Sequence, residues 1–205
     1  MAEEAGSRQR ILEVAAGLFR RQGFAGTGMR EIAAAAGLAK SSLYNHFPSK
    51  QAMLFAIVQQ TVERTTPTMQ RIADADLPAV ERLRQAVTAH VVELIHDLDN
   101  VACFVEEGRF LEPTYLNAHL ASRDEYERSF RRILGEGIEA GEFRPVGVEL
   151  TSLALLGMCN WVARWYRPGG DLDAARIGAD FGELAVRSVA ADCNPGRLRE
   201  EGSRK

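Results

Sequence analysis

Residues 39–47 read Ala39-Lys40-Ser41-Ser42-Leu43-Tyr44-Asn45-His46-Phe47. At helical spacing Leu43 and Phe47 share one face, while Lys40, Ser41, Ser42, Tyr44, Asn45 and His46 are left outside it. The stretch is too short for a domain and too polar for a core helix. It follows Gly37, which closes an alanine-rich helical pattern from Met29 to Ala36, and it stops at Pro48, which cannot continue a helix.

Working outward, Ser7 is placed to cap a first helix that carries Ile11, Leu12, Ala15, Leu18 and Phe19 on one face. Gly23 ends it after Arg20, Arg21 and Gln22. Thr27 is expected to cap the second helix, with Ile32, Ala33 and Ala36 inward and Glu31 near its N-terminus. Gly37 and Leu38 form the helix–helix turn, because such a turn needs a residue that tolerates positive φ. Ser49 caps the next helix. Residues 7–47 therefore read as three helices of helix-turn-helix type, with 39–47 as the helix that enters the DNA major groove.

Charge agrees with this placement. The whole chain carries net −3, which alone suggests no nucleic-acid partner. Residues 1–50, however, hold seven Lys/Arg against four Glu, net +3, leaving 18 basic and 24 acidic residues beyond them. A basic head on an acidic body is the asymmetry expected when only one end meets phosphate. Lys40 suits guanine O6/N7 or a phosphate, and Ser41, Ser42 and Asn45 are short hydrogen-bonding groups for base edges. Tyr44, His46 and Lys50 suit flanking phosphates, and Thr27 with Arg30 suits a backbone phosphate at the start of the second helix. Singly, each is an ordinary solvated residue; together they make a DNA-facing set.

The run Gly23-Phe24, Thr27, Arg30-Glu31-Ile32-Ala33, Ala36-Gly37-Leu38, Lys40 to Phe47 and Lys50 resembles the N-terminal signature of the TetR family of transcriptional repressors, over about 45 residues. The resemblance implies an all-helical homodimer. It implies phosphate contacts at Thr27, Tyr44, His46 and Lys50, and base reading near Lys40, Ser41, Ser42 and Asn45. Gly28 departs from the family pattern, which commonly has a small polar residue there, so the second helix starts with a weaker cap.

Beyond Ser49 the periodicity predicts a helix to about Ala73 with Leu54, Ile57, Val58 and Val62 inward, which Pro67 should kink or end early. Ala79–Leu98 is strongly periodic, with Val80, Leu83, Val87, Val91, Leu94 and Leu98. A shorter helix is expected over Val101–Leu111 and a long one over Thr114–Ala140, the break between them at Pro113 and Gly141 as C-cap. Thr151–Trp165 is apolar almost all round and should be buried on most sides. A final helix, Asp171–Ala191, carries Ala174, Ile177, Phe181, Leu184, Ala185 and Val189 on one face. No strand alternation, repeat or low-complexity tract interrupts this order.

A second motif, Trp161-Val162-Ala163-Arg164-Trp165-Tyr166-Arg167-Pro168-Gly169-Gly170, sits between the last two helices. Trp161 and Trp165 are i,i+4 neighbours, Arg164 and Arg167 frame them, and Ala154 and Gly157 allow another helix to approach. Two readings stand: packing in the core or a dimer interface, or a ligand pocket with an apolar wall and a cationic rim made by Trp161, Arg164, Trp165, Tyr166 and Arg167. The motif resembles the C-terminal domain of TetR-type repressors that respond to acyl-CoA thioesters in fatty-acid or steroid breakdown. Where steroid-type relatives tend to have a basic residue one turn before the first Trp, this chain has Gly157.

Other signals are weaker. His90, Glu93 and Asp97 share a helical face and could ligate a metal, but a solvated or locally paired face is the simpler reading. Arg123, Arg128, Arg131 and Arg132, interleaved with Asp124, Glu125 and Glu127, read as an exposed ion-paired helix, with a contribution to a CoA phosphate site as the alternative. Cys103, Cys159 and Cys193 are odd in number and far apart, which fits a reducing cytoplasm and no zinc site. No apolar run reaches the roughly 20 residues of a membrane span.

The sequence thus predicts an all-α, cytoplasmic protein that is not an enzyme. A helix-turn-helix DNA-binding domain occupies 7–52, a ligand-binding and dimerisation bundle 53–193, and a disordered tail 194–205. Its expected partners are a double-stranded palindromic operator, a second copy of itself and a small-molecule effector, with an acyl-CoA as the candidate, and no cofactor, metal or membrane. The rivals are a helical enzyme of lipid metabolism, for which no nucleophile–base pair or phosphate loop is visible, and a ligand-independent architectural DNA binder.

Overall fold

The computed structural model describes residues 2–191, with side chains from Gly6 onward. Cys193 and the expected tail at 194–205 lie outside the described residues. The chain is all-α, and the only extended pairing among the described residues is an isolated bridge between Phe143 and Ala190. Two compact units form. One takes the residues up to Pro67 together with Leu94–Glu125; the other takes Thr68–Glu93 together with the residues from Tyr126 on. The expected domain boundary at 52–53 falls inside a continuous helix.

In the first unit, α1 (Ala2–Gly26), α2 (Met29–Ala35), α3 (Lys40–His46) and the start of α4 (Lys50–Ala73) bury Ile11, Leu12, Phe19, Ile32, Leu43, Phe47, Leu54 and Ile57 in one cluster. The first helix begins before Ser7, because the alanines and glutamates at 2–5 are strong helix formers and no cap is needed there. Gly23 breaks it with φ 79°, as its sequence position suggested. Thr27 does not cap α2. Gly28 holds the N-cap position without a side-chain bond, and the Thr27 hydroxyl instead donates to the Gly23 carbonyl at 2.9 Å.

Pro67 does not end α4. It lies exposed, while Thr66, Met69 and Ile72 are buried, so tertiary packing outweighs one missing backbone bond. Ser49 does cap α4, its Oγ accepting from the Ala52 amide at 3.1 Å. After α5 (Ala79–His96) and α6 (Leu98–Ala102), the expected helix over 101–111 is not regular. Cys103–Glu107 is a π turn and Gly108–Phe110 a 3₁₀ turn. The widened turn is held from within, since the Cys103 thiol points at the Ala16 carbonyl and Glu107 is buried.

In the second unit α7 (Pro113–Glu139) contributes Phe130, Ile133 and Leu134, and ends at Gly141 with φ 73°. Pro113 opens that helix, where its missing N–H costs nothing. α5 and α10 (Ala174–Val189) approach closely: a Cβ on Gly182 would stand 2.7 Å from Thr88 Oγ1 and 2.9 Å from the Arg84 carbonyl. Arg84 Nε donates to Glu183 across the same contact at 2.7 Å. The Glu183 hydrogen bond raises the Arg84 pKa, against the lowering effect of burial.

α8 (Val148–Asn160) and α9 (Val162–Trp165) depart from the expected burial. Ser152, Leu155, Leu156 and Cys159 are inside, but Leu150 is 75% and Trp161 64% exposed, and Leu153, Ala154 and Gly157 are exposed between them. Leu184, on the predicted apolar face of α10, is 51% exposed. In a single chain these helices have protein on one side only. No helix among the described residues is long and apolar enough to cross a membrane.

Candidate nucleic-acid interface

The α2–α3 turn is made by Gly37, at φ 72°, with the Leu38 amide donating to the Ala33 carbonyl at 2.9 Å. Leu43 and Phe47 then fix α3 to the core, and the Arg8 guanidinium lies over the Phe47 ring at 4.7 Å. This leaves Lys40, Ser41, Tyr44 and Asn45 exposed on one side, with Ser42 and His46 half-buried at its margins. Lys40 Nζ sits 5.6 Å from the Tyr44 ring, one turn along, so the two form a single cationic and aromatic ridge. Arg30 is exposed on α2.

Thr27 and Lys50 are arranged differently. Thr27 is 2% exposed, and its hydroxyl bonds to Gly23 and to Gln22 Nε2. Lys50 Nζ donates to the carbonyls of Phe24 at 2.6 Å and Thr27 at 2.8 Å, and lies 4.3 Å from the Phe24 ring centre. Both side chains hold the α1–α2 turn in shape. No local pattern signals Glu107, whose carboxylate accepts from the Phe24 amide at 3.1 Å, or Gln22 Nε2 donating to Glu31 at 2.7 Å. Glu107 and Phe24 are 83 positions apart, beyond any periodic pattern.

In the second unit, Trp161, Arg164, Trp165 and Arg167 are exposed and Tyr166 is half-buried. None of the five lines the open groove of about 450 Å³ formed by Thr68, Arg71 and Ile72 with Arg84, Thr88 and Val92. The His90–Glu93–Asp97 face does not converge: His90 bonds to Tyr126 and Asn160, and Asp97 pairs with Arg64 at 2.6 Å. No group of three His, Cys, Asp or Glu among the described residues is placed to hold a metal. Arg132 pairs with Asp74 at 2.6 Å and Arg131 with Glu127 at 3.7 Å, as expected for an ion-paired helix. Cys103 and Cys159 are buried free thiols, and burial pushes the Cys159 thiol up to about 12.

A family described as bacterial regulatory proteins, tetR family, matches residues 11–57, and one described as tetracyclin repressor-like, C-terminal domain, matches 76–189. The chain belongs to the TetR family of transcriptional regulators. It is a DNA-binding regulator and not an enzyme. It is 31% identical to the HTH-type transcriptional repressor KstR2 of Mycobacterium tuberculosis over 188 residues, covering 90% of this chain and 94% of that protein. The solved structure of that ketosteroid regulator superposes with a TM-score of 0.83 at 28% identity, over 89% of this chain and 94% of the other. AibR, solved in complex with isovaleryl coenzyme A and operator DNA, has a TM-score of 0.79 at 26% identity, over 90% of this chain and 98% of that one. TetR regulators bind operator DNA, and the exposed side of α3 lies within the N-terminal match.

Proposed function

We propose that this TetR regulator is a homodimeric repressor that holds a palindromic operator and releases it when an apolar effector with an anionic handle, of acyl-CoA type, occupies its C-terminal domain. The observation that carries the DNA half is the outward side of α3, where Lys40, Ser41, Tyr44 and Asn45 stand clear while Leu43 and Phe47 hold the backbone rigid. Lys40, Ser41, Ser42 and Asn45 read bases; Tyr44, His46 and Arg30 anchor phosphates; Thr27 and Lys50 act by shaping the turn behind them, with the phosphate roles implied by resemblance as the alternative.

The exposed apolar stripe of α8, with Leu184 of α10, supports a four-helix seam between two copies. Such a dimer would space two recognition helices about 34–36 Å apart, one DNA turn. The effector half is supported by the isovaleryl coenzyme A in the AibR complex. Trp161, Arg164, Trp165, Tyr166 and Arg167 form its apolar wall and cationic rim. Driving the population from 1:99 to 99:1 takes about 5.5 kcal/mol of differential affinity. Burial of a few hundred Å² of apolar surface at about 25 cal/mol/Å² supplies that scale.

Selection of bound duplexes from a random pool, followed by gel shifts, tests this reading. Tyr44→Ala should weaken all sequences about equally, whereas Lys40→Ala should also alter sequence preference. Isovaleryl-CoA and longer acyl-CoAs should release the selected duplex. An unselective pool would sink the operator claim, and retention of DNA across the acyl-CoA panel would favour a ligand-independent binder.

A further inference from the structure

Three polar side chains meet inside the second unit, one from each of α5, α7 and α8. The Tyr126 hydroxyl and His90 Nδ1 are 2.7 Å apart, and His90 Nε2 is 3.1 Å from Asn160 Oδ1. An amide oxygen can only accept, so Nε2 carries the proton and Nδ1 accepts from the tyrosine. Both imidazole nitrogens are thereby used. The Asn160 Nδ2 group, with two donors, and the remaining lone pair of Tyr126 Oη are not used by any bond within the described residues.

The surroundings of these groups are apolar. Val87, Val91, Phe130 and Cys159, which flank them on the same helices, are fully buried. His90, Tyr126 and Asn160 nevertheless keep accessible surface. Burial lowers the His90 pKa to about 4 and raises that of Tyr126. A polar chain that keeps accessible surface and unused donors can accept a further hydrogen-bonding partner.

We infer that the unused Asn160 amide, oriented by His90 and Tyr126, is a binding site for an uncharged carbonyl oxygen carried on an apolar body. The hydrogen-bonding groups of the chain itself are neutral. The Glu93 carboxylate adds negative potential near Tyr126, which disfavours a carboxylate or phosphate there. A thioester carbonyl and a ketone share the required chemistry. The site rests on the effector reading above and deepens it: Asn160 immediately precedes Trp161, so the neutral carbonyl is read next to the residues assigned to the apolar wall and cationic rim.

Calorimetric titration of the full-length protein with four probes tests it: isovaleryl-CoA, its thioether analogue lacking the carbonyl, coenzyme A alone, and 4-androstene-3,17-dione as a ketone without coenzyme A. Wild-type protein should bind the thioester about tenfold tighter than the thioether, the scale of one good hydrogen bond. Asn160→Leu should bring thioester affinity down to that of the thioether and leave the thioether unchanged. Unaltered thermal midpoint and operator binding will show that this variant folds. If it does not fold, Tyr126→Phe serves, with the ¹⁵N shifts of His90 read as the thioester is added: they should move with the thioester and not with the thioether. Equal binding of thioester and thioether by wild-type protein overturns the carbonyl site and leaves the acyl-CoA reading standing. Binding of the ketone alone, lost in Asn160→Leu, keeps the site and overturns the acyl-CoA reading. Binding of none of the probes overturns both.

Discussion

The Glu107 carboxylate accepts the backbone N–H of Phe24 at 3.1 Å, joining the π turn after α6 to the turn that precedes α2. Phe24 is where the unit converges. Its ring stacks on Phe110 at 6.0 Å and tilts against Phe19 at 5.2 Å, and its carbonyl accepts a hydrogen bond from Lys50. The position of the DNA-binding helices is therefore tied to residues 103–110 by one buried acceptor. Glu107→Ala leaves the Phe24 amide without a partner and should cost about 1–3 kcal/mol. Glu107→Gln keeps an acceptor oxygen and should cost less. Urea midpoints of the two variants decide this, and a Glu107→Ala midpoint equal to wild type would show that the bond contributes nothing.

Two glycines in α7 make a controlled pair. A Cβ on Gly137 would clash with the Phe143 ring and stand 2.9 Å from Ala79 Cβ, whereas nothing lies within 4 Å of one on Gly135. Gly137→Ala should destabilise by roughly 1–3 kcal/mol through overpacking. Gly135→Ala should stabilise by about 0.5–1 kcal/mol through helix propensity. Thermal melts should shift in opposite directions.

His90 sets a pH dependence. Burial lowers its folded pKa to about 4, below the ordinary 6.5, so the unfolded chain binds the proton first as pH falls. Its contribution to stability is complete above about pH 6.5 and is lost as pH drops from there toward 4, at most about 1.4 kcal/mol per pH unit. Chemical denaturation at pH 7.5, 6 and 5 should show the loss. His90→Gln should be less stable at pH 7.5 and should lose less on acidification. Parallel curves for the two proteins would argue against a buried neutral His90.

The exposed apolar stripe predicts the effect of a charge on α8. Leu153→Asp should convert a dimer into a monomer by sedimentation velocity and abolish binding to a two-half-site operator, since one head gains nothing from the second. Leu150→Asp, at the more exposed end of the stripe, should do so more weakly. Monomeric wild-type protein at micromolar concentration would remove the basis of the prediction.

Much of the fold was legible in local pattern. The inward positions Leu43 and Phe47 of α3, the positive-φ Gly37, the Ser49 cap and the buried periodic face of α5 all follow from short-range rules, and the structure has each of them. Propensity misled where packing outweighed it. Pro67 sits inside an unbroken α4, Thr27 turned its hydroxyl back to Gly23, and the apolar α8 has one face open in the single chain.

By itself the sequence determined which side chains α3 turns outward, because helical period and the identity of nine residues decide it. It determined the family for the same reason, since that short signature is local. Only the tertiary structure decided that Thr27 and Lys50 bond to backbone carbonyls around the α1–α2 turn, that Glu107 reaches Phe24, and that His90, Tyr126 and Asn160 share one hydrogen-bonded chain. Those partners lie 23 to 83 positions apart except within the Thr27 turn, and no backbone period links residues on separate helices. Packing brings them together, and the desolvation that packing imposes then fixes what each group can do.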